Sequence, residues 1–264
     1  MVTQRTALLA ALQTDHKVVF ASLFAIAGLA WLYTVHLSNN MPGVGSMKMG
    51  QGMAGPVSES WAANDVVAMF FMWAVMMVAM MVPTAAPMIL TFASMNHRNS
   101  TNNENSGRTA IFIAGYIVVW SGFALGATLI QWGLHEATLL SPMMATSNAI
   151  LGGAILVGAG AYQLSPLKLT CLNKCRTPLG FLMNEWREGP KGILSMGLIH
   201  GAYCIGCCWM LMALLFVLGV MNLLWIAALS AFVLLEKVIP GGRWLSRASG
   251  ILLIAWGISL PFMT

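Results

Sequence analysis

The sequence predicts an all-α membrane protein: a polytopic bundle of about seven transmembrane helices, with the N-terminus inside and the C-terminus outside. Three observations lead there. The 264 residues are 58% hydrophobic and only 8% charged, where a soluble domain carries about 25% charged residues, and the mean hydropathy is +0.78. Apolar runs close to the roughly 20 residues needed to cross a bilayer recur along the chain. The basic residues between those runs fall on alternating sides. Helices rather than strands are expected because lipid gives the backbone no hydrogen-bond partner.

Residues 1–17 form a cytoplasmic N-terminal segment with Arg5 and Lys17, and 18–264 a single transmembrane helical domain. The first span, 18–37, is too long for a signal-peptide core and lacks a small-residue cleavage site after it. An outer loop over 38–64 follows, rich in Gly and Met. Spans are expected next at 66–92 and 109–131, joined by the Asn- and Ser-rich stretch NHRNSTNNENSGR. The fourth span, 148–165, leads into a basic inner loop at 166–192 that contains two cysteines. Spans at 193–218, 222–238 and 248–263 complete the chain. Twelve of the 13 Lys and Arg residues then lie on one side and Lys48 alone on the other, as the positive-inside rule requires. That placement explains the net charge of +5 without nucleic acid as a partner. No nucleotide-binding motif or soluble domain is evident.

The chemistry lies in sulfur. The stretch GAYCIGCCWMLM, 201–212, holds three of the five cysteines. Positions four apart share a helix face, so Met196, His200, Cys204, Cys208 and Met212 form one column, with Cys207 one step round. Thiolates and thioethers favour Cu(I), and thiolate with imidazole also suits Zn(II). A lone intramembrane cysteine commonly just packs. Three of them with an imidazole one turn away argue for a metal, because ionisable groups inside spans tend to be functional. Span two adds Met76 and Met80 in one row and Met77 and Met81 in the next. Methionine there also reads as adaptable apolar filler. The outer loop carries Met47, Met49 and Met53 among glycines, where a thioether has no core to fill. Thioethers stay competent ligands in an oxidising compartment, where thiols would form disulfides. Inside, Cys171 and Cys175 form a CxxxC pair suited to metal or redox chemistry in a reducing cytosol.

Together the runs MWAVMMVAMMVPTAAPM, YQLSPLKLTCLNKCRTP, EWREGPKG, GLIHGAYCIGCCWMLM and VLLEKVIP resemble a bacterial family of integral membrane proteins described as predicted metal-binding, over roughly residues 66–240. The resemblance implies a multi-pass protein of the bacterial cytoplasmic membrane that binds a metal. The family's cysteine motifs fall on Cys171, Cys175, Cys204, Cys207 and Cys208. The expected function is binding of a soft ion, foremost Cu(I) with Zn(II) as second choice, for transport or delivery. The partners would be the bilayer, the metal and a periplasmic metal-binding protein or copper-dependent membrane enzyme. Catalysis is not expected. Two other readings stay open: a membrane thiol–disulfide oxidoreductase using Cys204–Cys207 and Cys171–Cys175, and a structural membrane subunit whose soft residues only pack.

Overall fold

The computed structural model describes residues 2–40, 63–97, 102–137, 148–239 and 242–263, with side chains described at 19–39, 64–96, 106–137, 148–239 and 242–262. Every regular element among them is a helix. In order they are α1 (Val2–Asn40), α2 (Ala63–His97), α3 (Asn102–Glu136), α4 (Ala149–Leu164), α5 (Pro166–Arg176), α6 (Pro178–Glu185), α7 (Gly189–Ala213), α8 (Leu215–Leu218), α9 (Leu223–Val238) and α10 (Gly242–Met263). The outer-loop methionines Met47, Met49 and Met53 lie outside the described residues.

Among the described residues, five helical segments are long and apolar enough to cross a membrane, within α1, α2, α3, α7 with α8, and α10. Two of the seven expected spans, 148–165 and 222–238, correspond to helices of 16 residues, α4 and α9. At 1.5 Å per residue each is about 24 Å long, short of the roughly 30 Å hydrocarbon core. α4 and α5 together qualify as a broken span, bent by 63°. Local sequence makes the break. Ser165 accepts a hydrogen bond from the Lys168 amide and caps α5, and Pro166 occupies its first turn, the arrangement that starts a new helix. Pro178 likewise occupies the first turn of α6, where the cap residue Thr177 makes no side-chain cap hydrogen bond. The segment 166–192, expected as a loop, is therefore largely helical.

Three devices fix the bundle around α7. Pro83 lies inside α2 and has no N–H for the carbonyl four residues back. That carbonyl belongs to Ala79, and the Trp31 indole of α1 donates to it at 3.1 Å. α3 and α7 cross on glycines: a Cβ on Gly115 would stand 2.6 Å from the Leu194 carbonyl oxygen, and one on Gly197 would overlap the Phe112 carbonyl. α4 and α10 meet the same way through Gly153 and Gly160 against Gly257 and Gly250, the small-residue contact that lets membrane helices approach closely. Replacing Gly197 with Leu should force α3 and α7 apart at a cost of about 3 kcal/mol. Thermal unfolding of the purified variant in detergent checks this, and an unchanged midpoint would contradict the packing.

Methionine fills much of the interior. Met69, Met72, Met76, Met77, Met80, Met81 and Met88 of α2 are all buried, alongside Trp73, Phe92 and Phe112.

Candidate metal centre

The α7 column faces inward. Met196, His200, Cys204, Cys208 and Met212 are each at most 2% exposed, so the i+4 stripe points at protein rather than lipid. Cys207, one step round, is buried with them. The Cys207 and Cys208 thiols donate to the Cys204 carbonyl at 3.1 and 3.0 Å, which holds both sulfurs against the same turn. From α2, the Met81 thioether approaches the Cys208 sulfur at 3.9 Å. Met76, Met77 and Met80 are buried in the same core.

Helix α5 brings the remaining two cysteines to this place. Cys175 is buried, and its thiol lies close enough to Cys204 and Cys207 for direct side-chain interaction. Cys204 is thus neighboured by Cys175, Cys207 and Cys208. Cys171 packs where α7 is thinnest, its sulfur 2.8 Å from the position a Cβ on Gly206 would take. The break after α4 lays α5 along α7, so all five cysteines, none in a disulfide, share one neighbourhood.

Two residues outside the ligand set expected from sequence complete the surroundings. The Tyr116 hydroxyl of α3 lies 3.2 Å from the Cys204 sulfur and 3.1 Å from the Met81 carbonyl oxygen. The Lys237 ammonium of α9 donates to the Cys204 sulfur at 3.1 Å and to the Thr84 hydroxyl of α2 at 2.9 Å. Cys204 is therefore the hub on which α2, α3, α5, α7 and α9 converge. The signal was present in the sequence as a lysine inside the apolar run VLLEKVIP. Its place near a span end suggests a snorkelling interface residue, but Lys237 is only 8% exposed.

Its neighbour Glu236 turns the other way. Both carboxylate oxygens accept from the Lys168 ammonium at 2.8 Å, and Ser246 donates to Oε1 at 2.8 Å. Gln163 accepts from Lys168 and donates to Glu236 and Ser249. Lys168 and Glu236 are both fully buried, so Lys168 does not act as a loop charge. The network ties α4, α5, α9 and α10 together at the helix break.

His200 sits one turn from Cys204 among aromatic rings. Its imidazole stacks on Phe112 and Tyr116, with centroids 6.0 and 5.6 Å away, and meets Phe181 edge-on at 5.6 Å. Neither ring nitrogen has a hydrogen-bond partner. A buried polar group without a partner costs free energy and needs an explanation. Among the described residues no three His, Cys, Asp or Glu side chains are arranged to hold one ion. What the geometry offers is soft donors: four thiols gathered at Cys204, the Met81 thioether 3.9 Å from Cys208 and an unpartnered imidazole one turn away. Such a donor set suits Cu(I) better than hard cations.

Helices long and apolar enough to cross a membrane, packed round a core of thiols and thioethers, define the class as a helical bundle with a soft-ligand interior. A family model described as PpoB2, copper chaperone, matches residues 70–260. The match covers well over half of the chain, which belongs to this family. Neither a curated protein nor a solved structure matches it.

Proposed function

We propose that the chain is a multi-pass protein of the bacterial cytoplasmic membrane that holds Cu(I) at the Cys204 cluster and hands it to a partner. The observation that carries this reading is the gathering of Cys175, Cys207 and Cys208 round Cys204 from two separate helices. Packing alone does not require four thiols in one place. The family description supports copper as the ion. Cys204 with Cys208 or Cys175 supplies the thiolates and Met81 a thioether, while His200, whose imidazole has no partner, stands one turn away as an alternative donor.

The buried α2 methionines extend this soft surface along the bundle and form the route between the cluster and the outer Met-rich loop. Weak neutral thioethers at Met47, Met49 and Met53 capture the ion, and thiolates hold it more firmly. The N-in orientation rests on the basic residues other than Lys168 and Lys237, which serve buried roles. The recipient is a copper-dependent enzyme or carrier; no fuel-consuming element is evident in the chain.

Anaerobic Cu(I) competition against a chromophoric chelator tests the reading. Full-length protein in detergent should bind about one Cu(I), and Cys204→Ser/Cys208→Ser should weaken binding at least about tenfold. Unchanged stoichiometry and affinity in the double variant would sink it. Alkylation trapping in cells then separates a redox protein, which shows a reversible disulfide, from a structural subunit, which does not.

A further inference from the structure

We infer that Lys237 makes the cluster selective for monovalent soft cations, Cu(I) and Ag(I), over divalent ones such as Zn(II) and Cd(II). The inference rests on the metal-site reading above and deepens it by naming what sets the charge of the cargo.

Lys237 is a buried lysine whose ammonium touches a ligand sulfur. Its hydrogen-bond partners are Thr84 at 2.9 Å and Cys204 at 3.1 Å. Glu236, next to it in sequence, is engaged with Lys168 across the helix. Among the described residues no carboxylate lies within ion-pair distance of Lys237. An ammonium taken out of water needs a negative partner, and a threonine hydroxyl does not supply one. The neighbouring sulfur does.

Any ion entering the site therefore meets a fixed positive charge in contact with Cys204. Two thiolates, one monovalent ion and the lysine sum to zero. Two thiolates, one divalent ion and the lysine leave a net positive charge among buried methionines and aromatic rings, where charge is poorly solvated. A third thiolate would cancel it, but only by taking the proton from one more buried thiol. With Lys237 neutralised the balance reverses, and the divalent complex becomes the uncharged one.

The test uses full-length protein in detergent with Ag(I) as the monovalent probe and Cd(II) as the divalent one, the latter read by its thiolate absorbance. Wild type should prefer Ag(I). Lys237→Met should shift the Ag(I):Cd(II) affinity ratio toward Cd(II) by about tenfold or more, and Lys237→Arg should keep the wild-type ratio. If Lys237→Met does not fold, Lys237→Gln, neutral but polar, takes its place. An unchanged ratio in the neutral variant overturns the inference, as does an equal shift in Lys237→Arg, because charge would not be the cause. Loss of selectivity with Ag(I) binding intact in wild type leaves the metal-site reading standing. Absence of any Ag(I) or Cu(I) binding in wild type overturns both.

Discussion

Replacing Glu236 with alanine should destabilise the protein by about 3–5 kcal/mol, the usual cost of stranding one member of a buried ion pair. Lys168 would be left fully buried with only the Gln163 carbonyl oxygen to satisfy its ammonium. Ser246 would lose its acceptor at 2.8 Å. Because this network holds the junction of α4, α5, α9 and α10, the loss should appear as cooperative unfolding rather than as fraying of one helix. Denaturant or thermal unfolding in detergent measures it. The Lys168→Met/Glu236→Leu variant should recover most of the stability, since replacing both charges removes the desolvation penalty along with the attraction. A small effect of Glu236→Ala would mean that water reaches the pair.

The second large effect concerns Cys175. Its substitution by serine should weaken Cu(I) binding at the Cys204 cluster about tenfold or more, although the two cysteines are 29 residues apart in sequence. The decisive measurement is a double-mutant cycle with Cys204→Ser. One shared site predicts strong non-additivity, because after the first loss the second thiol has less left to hold. Two independent sites, one in each segment, predict additive losses, and that outcome would contradict the proximity of Cys175 to Cys204.

The periodic features were legible in advance. The long apolar helices followed from apolar runs, and the buried stripe of α7 from strict i+4 spacing, because a helix converts sequence spacing directly into a face. The α2 methionine rows were visible for the same reason. The position of α5 was not. CLNKC in a basic segment suggests a cytosolic loop, and only the Ser165–Pro166 start signal, followed by Pro178, hints that short helices fold back instead. Lys168 and Lys237 were counted with the inner-side charges on one assumption, that basic residues near a span end reach for water. Here each finds a partner inside the protein, and partnership is a tertiary property that no local pattern reports. Tyr116 carried no signal beyond being a tyrosine in an apolar run. The outer-loop methionines Met47, Met49 and Met53 stay an expectation from sequence.

The shortness of α4 bears on the order in which the chain can be made. Its glycine face is matched by glycines of α10, which comes much later in the order of helices. As ribosomal synthesis proceeds, α4 emerges well before its mate and is too brief to anchor itself firmly in a bilayer. Its lasting seat is set only when residues 242–263 arrive. Formation of the cysteine cluster is thereby tied to synthesis of α10: a chain truncated before α10 would lack the brace that holds α4 at the hinge from which the cysteine-bearing α5 departs.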